Sequence, residues 1–487
     1  MISSKTKKFQ VLITAVILFF LFGGASGADS TSGEPYQAAA GLIDLRSTFS
    51  DGKHAIEELV KMAAAGGFRV LFINDHDRIA ISYGIPPFRH LLRYKREYPS
   101  IMTHGPEKFL AEINRVSEKY PHMILIPGCI TSSYYYMTRS WFKFDLTAHE
   151  YDRKILALNL EEPDDYRLMP NLHNSLSLKY TKKLLPGLVV YIVPLLIGLY
   201  LLRWKGSTRI AAFALILFSI LAIMDYNPMR SSLYSQYAGN QGIQPFQDMI
   251  HYINKKGGYA FWNYPEQKSG TRDLGPINLD TPPYPQVLYE SRDYCGFAAI
   301  YGENTTITDP GREWDQVLRE FCEGKRKSPS WGIGTADFHE EGRLGLKLGQ
   351  FPTVFLVKDL SKEGILEAMK KGRMYAALGD GHSWPSLDYF NVLDGEGERA
   401  HMGDTLTTAR FPTIKFRVSY PQGESKPRTI WLIRDGKLLK TFKSETPMEV
   451  EFHDGEATAG KKTYYRLMDS RKRLISNPIF VVYNPSR

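Results

Sequence analysis

The chain has 487 residues, 43% of them hydrophobic and 23% charged, enough for about three domains and too apolar for wholesale disorder. Its 3 cysteines are too few for a disulfide-stapled scaffold: Cys129 reads as a core residue, and no spacing rule requires Cys295 to pair with Cys322. The net charge is +9, and residues 410–487 hold 16 Lys and Arg against 8 Asp and Glu, a basic end of the kind that meets nucleic acid or an anionic membrane surface.

Lys5, Lys7 and Lys8 precede an apolar run at 11–22, and small residues occupy 23–28. This layout predicts a secretory signal peptide over 1–27, or an uncleaved signal anchor. Both would export the chain from residue 28 onward, so no nucleic acid partner is expected.

From 41 onward short apolar runs alternate with amphipathic stretches. Strands are predicted at 41–45, 69–73, 123–126 and 155–160, with helices at 55–62 and 107–118 between them. Two apolar blocks come next. Residues 184–202 contain no charge over about 28 Å of helix, the thickness of a bilayer core. Residues 210–224 are short for a span and draw on Ser207, Thr208 and a snorkelling Arg209. Both blocks are apolar on all faces, which argues against the alternative of buried core helices. Arg203, Lys205 and Arg209 in the connecting turn put that turn in the cytoplasm and both flanks on the exported side.

After the hairpin the alternation resumes, with helices at 246–255, 313–322 and 362–371 and strands at 259–262, 297–301 and 332–334. Repeated strand–helix units predict a parallel α/β sheet or barrel with charged residues at a common C-terminal mouth. Residues 386–487 change character. Strand-like runs at 414–420, 429–433, 448–452, 463–468 and 478–483, with Asp435-Gly436 as a hairpin turn, predict a small β-sandwich.

Four segments occur in a recognisable order: Ile43-Asp44-Leu45-Arg46-Ser47-Thr48-Phe49-Ser50-Asp51-Gly52, Phe72-Ile73-Asn74-Asp75-His76-Asp77, Ile126-Pro127-Gly128, and Gly334-Thr335-Ala336-Asp337-Phe338-His339. Together they resemble the PHP (polymerase and histidinol phosphatase) superfamily over about 40–160 and 244–380. The stretch 366–375 and the β region ending Ser476-Asn477-Pro478-Ile479 resemble its CehA/McbA-like branch. The resemblance implies a distorted seven-stranded β/α barrel in two parts, 40–160 and 244–380. The insertion 161–243 carries the transmembrane hairpin, and the β-sandwich 386–487 comes last. It also implies hydrolysis of phosphate esters or related bonds by two or three divalent metals and a bridging water.

The ligand pattern departs from the family's. Its His-x-His aligns with Asp44 and Arg46, its Glu with Ile130, a later His with Lys154, and the His of a His-Pro pair with Tyr264. Asp75, His76, Asp337 and His339 match the family's ligand positions, with Asp44 beside them, and Asp337 and His339 would carry any catalysis. Arg46 cannot ligate a cation, because guanidinium does not deprotonate in proteins. Ile130 has no lone pair, and a charged Lys154 repels a divalent ion. Beside a full metal site reached through a different alignment, two readings stay open. In one, ion pairs from Arg46 and Lys154 replace the metals, and the exported, membrane-anchored scaffold binds an anionic small molecule or a membrane-proximal protein without a cofactor. In the other, it is an active hydrolase with a single Zn, Mn or Fe ion.

Overall fold

Strands β1 (Gln37–Leu45), β2 (Val70–Ile73), β3 (Ile124–Thr131), β4 (Lys154–Leu158), β5 (Tyr259–Asn263), β6 (Gly296–Ile300) and β7 (Trp331–Gly334) lie side by side in chain order within one large sheet. In this computed structural model the described residues run from 36 to 485, without 141–144, 175–176, 268–270, 275–276, 304 and 344–345. The expected signal segment 1–27 lies outside them. The chain divides into a unit Met1–Gln37, of which Tyr36 and Gln37 are described, and a unit Ala38–Arg487, which holds the site and, but for Gln37 of β1, the described helices and strands.

β2 (VLFI) and β6 (GFAAI) are buried at every residue. Such unbroken apolar runs mark strands covered on both faces. The helix Ile56–Ala65 supplies part of the cover with Ile56, Leu59, Val60 and Ala63, all buried, at helical spacing. Each large apolar side chain so buried contributes roughly 1.5–3 kcal/mol. Glu57 and Glu58 lie in its first turn, where the helix dipole favours carboxylates.

The sheet is mixed, not parallel as expected. β1–β2–β3 and β5–β6–β7 are two parallel runs, and β4 is antiparallel to both β3 and β5. This reversal has a functional consequence. The first residue of β4, Lys154, stands opposite Asn263 at the C-terminal end of β5. Lys154 therefore joins the rim on which the C-terminal ends of the parallel strands open. Beyond β7, the backbone of Phe338 bridges to Leu45 of β1, with Ala336 N–H donating to Ile43 O at 2.9 Å and Arg46 N–H to Phe338 O at 3.0 Å.

The C-terminal strands continue the same hydrogen-bonded sheet. Thr353–Val357 neighbours β1 and pairs with Met374–Ala377, which pairs with Leu474–Ser476. A second, four-stranded sheet includes Ser386–Leu393, Thr413–Ser419 and Met448–His453. Its Leu387, Phe390, Ile414 and Phe416 share a core with Ile430, Leu432 and Leu467 of the large sheet. Asp435 and Gly436 form the expected turn, both at positive φ (52° and 79°), between paired Arg434 and Lys437. The buried pair Arg466–Asp315 ties this region to the helix Glu313–Cys322 through two hydrogen bonds of 2.8 and 2.7 Å. All three cysteines are free, and Cys129 is buried.

Two helices, Thr181–Leu201 and Ser207–Tyr226, are long and apolar enough to cross a membrane. The second has 20 residues, about 30 Å, because Ser207–Arg209 and the Asp225–Tyr226 end join the apolar run that looked short in sequence. The two helices pack closely at Gly198, where a Cβ would lie 2.8 Å from Ile216 Cγ1. Their other faces are bare: Val190 is 68%, Ile210 73% and Leu217 59% exposed.

Candidate functional site

The strand ends carry the site. Asp44, Tyr264 and Asp337, at or just beyond the ends of β1, β5 and β7, all have positive φ (70°, 47° and 44°). Left-handed backbone costs a non-glycine residue about 1–2 kcal/mol, and its clustering at one rim is typical of functional sites. The loop 47–52 folds back onto Arg46. It needs glycine at 52, because a Cβ there would lie 2.2 Å from Arg46 O.

Arg46 is 1% exposed and lies at the centre. Its Nε donates to Asp44 Oδ1 at 3.0 Å and its Nη2 to Asp337 Oδ1 at 2.9 Å. Nη1 donates to His76 Nε2 at 2.7 Å and reaches Asp51 Oδ1 at 3.4 Å. Burial opposes its charge, but Asp44, Asp51 and Asp337 outweigh burial and keep it protonated. His76 is the complement. Burial, Arg46 and Lys154 hold it well below the usual imidazole range, so its neutral Nε2 is an acceptor.

The carboxylates are spoken for. Asp44 Oδ2 also accepts from Asn263 Nδ2 at 2.9 Å and from the Tyr264 hydroxyl. Tyr264 stays protonated because burial, Asp337 and Asp44 raise its pKa. Asp75 does not meet Arg46. It accepts from Ser47 N at 2.9 Å, Ser47 Oγ at 2.7 Å and Ser50 Oγ at 2.6 Å. Burial raises its pKa against those bonds. Asp337 is raised too, by burial and by Asp44 against the pull of Arg46.

Lys154 pairs with none of Asp44, Asp75 or Asp337. Its Nζ lies 3.6 Å from Asp152 Oδ1. It lines a cavity of about 440 Å³ beside the cluster, with His76, Asp51, Lys53, Arg78 and Tyr135 also on the wall. Of the expected set, then, Arg46 gathers Asp44, His76 and Asp337, while Asp75 and Lys154 face other partners. His339 stands at the rim, its Nε2 3.0 Å from Asp51 Oδ2.

Sequence reasoning did not count Asp51 or Asn263. Arg46 and the hydrogen bond from His339 hold Asp51 well below the usual carboxylate range, although partial burial works the other way. Its signal was in hand, since Ser50-Asp51-Gly52 belongs to the first motif. Asn263 carried no signal beyond its place before Tyr264.

The residues present do not fit a two- or three-metal centre. Both oxygens of Asp44 and of Asp75 are engaged, and the Nε2 lone pair of His76 receives an Arg46 N–H. The Arg46 guanidinium lies among these side chains, and a divalent ion beside it would meet like charge. Among the described residues no group of three or more His, Cys, Asp or Glu is arranged to hold a metal ion.

Fold and site define a mixed α/β chain with an ion-paired cluster at its strand ends. No family model matches the sequence, and no curated protein matches it. Solved structures similar to it include a two-domain protein containing a predicted PHP-like metal-dependent phosphoesterase from Bacteroides vulgatus, at 12% identity and TM-score 0.34, over 89% of this chain and 91% of that one. A protein assigned as a metal-dependent phosphoesterase from Bifidobacterium adolescentis is 15% identical, TM-score 0.28, over 63% and 90%. An amidohydrolase from Chromobacterium violaceum, solved with sulfate and no metal, is 15% identical, TM-score 0.27, over 63% and 89%.

Proposed function

We propose that this is a membrane-anchored, exported protein of PHP type whose metal centre has been replaced by ion pairs, and that it binds an anionic ligand at the strand ends. The observation that carries the reading is the Arg46 guanidinium among Asp44, Asp337, Asp51 and His76. A permanent cation there neutralises buried carboxylates that would otherwise need metals or protons. The seven neighbouring strands, with the Leu45–Phe338 bridge joining the last to the first, support a distorted barrel. The two bare apolar helices support the membrane hairpin, since exposed apolar surface on that scale requires cover. Lys154, Lys53 and Arg78 on the cavity wall are the groups that would meet an anion.

Titration of the purified full chain with inorganic phosphate tests the binding. The expected result is binding that weakens about tenfold in Lys154→Ala, about 1.4 kcal/mol. The rival reading, a one-ion hydrolase, draws on Asp51 and Asp337, which stay 40% and 36% exposed at the rim near His339. Manganese- or zinc-dependent hydrolysis of a generic phosphoester, abolished by Asp337→Ala, would favour it and sink the ion-pair reading.

A further inference from the structure

A second cavity, about 300 Å³, lies where the helix Ser207–Tyr226 ends. Its walls are the end of that helix, the hairpin of Ile79–Gly84 and Arg93–Tyr98, and the segment 230–237. Five cations line it: Arg78, Arg89, Arg93, Lys95 and Arg230. Asp225 is the only carboxylate among the described lining residues, and its Oδ1 is taken by the backbone N–H groups of His90 (2.6 Å) and Leu91 (2.9 Å). Glu97 serves Arg78 and Lys95. Arg89 stacks on Tyr237 at 4.2 Å. Arg93 and Arg230 have no carboxylate partner among the described residues, and Arg230 Nε is buried without a hydrogen-bond partner there.

The cavity is electropositive in a way its neighbours register. His173 is pushed down to about 3 by burial and then by Lys95, Arg78 and Arg93. A buried guanidinium N–H without an acceptor, as at Arg230 Nε, is costly, and a phosphate is a ligand whose geometry a guanidinium matches.

The surroundings say where the phosphate comes from. The loop 85–92 at the hairpin tip lies against the helix. Phe88 packs against Phe218 with ring centroids 5.4 Å apart and the ring planes tilted by 50°. Phe218 is eight residues before the helix end at Tyr226, about 12 Å along the axis. The same loop exposes Ile85 (61%), Leu91 (39%) and Leu92 (54%). An apolar loop tip alongside a bare apolar helix, with a basic cavity at that helix's end, is the arrangement of a lipid site at a membrane interface.

We propose that this cavity binds the phosphate group of an anionic membrane lipid, whose acyl chains lie along the helix Ser207–Tyr226 beside the loop 85–92. The inference rests on the reading of the two helices as a membrane hairpin. Arg78, Leu172 and His173 line both this cavity and the one holding Lys154, so a bound headgroup would adjoin the strand-end site.

The test uses the full chain in nanodiscs of phosphatidylcholine with a minority of phosphatidylglycerol, with native mass spectrometry of the retained lipids. The wild type is expected to retain phosphatidylglycerol about tenfold over its share in the bilayer. Arg93→Ala combined with Arg230→Ala is expected to abolish the enrichment. The single Arg93→Ala, at an exposed position, and the charge-preserving Arg230→Lys guard against misfolding, and are expected to weaken it and to keep it. Inorganic phosphate and glycerol phosphate are added as competitors. No enrichment, or enrichment untouched by the double variant, would overturn the lipid site and leave the membrane hairpin standing. Free phosphate that abolishes enrichment at equal concentration would assign the cavity to a soluble anion instead. A chain that stays soluble and does not enter nanodiscs would overturn the hairpin, and the lipid site with it.

Discussion

Arg46 and Asp337 meet at 2.9 Å across 291 positions of sequence. The contact holds the first and last motifs of the strand-end cluster together, and it is made by a residue that can neither ligate a metal nor lose its proton.

Removing Arg46 leaves Asp44, which is 0% exposed, as an uncompensated buried charge. Arg46→Ala is therefore expected to cost about 3–5 kcal/mol, read as a lowered denaturation midpoint of the full chain in detergent. Asp337→Ala removes a partner that is 36% exposed and should cost about 1 kcal/mol or less. Equal effects would mean that Arg46 is not the keystone of the cluster.

The Asp315–Arg466 pair, both 0% exposed, makes a similar demand at the join between the helix Glu313–Cys322 and the C-terminal strands. Asp315→Ala strands a buried guanidinium and should lower stability by about 3–5 kcal/mol. Replacing both, Asp315→Leu with Arg466→Met, should recover most of that loss. A double variant as unstable as the single would show that packing, not charge, dominates there.

Acid should weaken the protein below pH 6.5, with His173 contributing. The folded state keeps this imidazole neutral down to about 3, while the unfolded chain takes up its proton near 6.5. Between those values the unfolded state binds more protons, so stability rises with pH and is lost as pH falls through the window, by at most about 1.4 kcal/mol per pH unit for one group. Midpoints measured from pH 7 to pH 4 should fall less steeply in His173→Gln than in the wild type.

The membrane reading predicts a sidedness. Lys205→Cys, in the turn between the two helices, should resist a membrane-impermeant maleimide on intact cells, and Glu456→Cys should react. Both positions are exposed in the fold. Labelling at Lys205→Cys alone would invert the topology.

Local features were legible before the fold was known. The helices Glu313–Cys322 and Lys362–Lys371 run over the expected residues, because each has a complete amphipathic stripe. The hairpin of Ile79–Gly84 and Arg93–Tyr98 went unread. Its second strand, RYKREY, is almost wholly exposed and has no apolar alternation to betray it. The direction of β4 was equally hidden, since an apolar run looks the same in a parallel or an antiparallel strand.

The sequence by itself determined which chemistry the strand ends could hold. Arg46, Ile130, Lys154 and Tyr264 are identities, and what each can donate or accept is a property of its side chain alone. Only the tertiary structure decided who meets whom. Arg46 takes Asp44, Asp51, His76 and Asp337 but not Asp75, whose oxygens go to Ser47 and Ser50. Lys154 faces a cavity instead of the cluster. Such pairings are set by distances of a few ångströms between residues tens to hundreds of positions apart, and those distances come from how the strands are ordered and which way each one runs.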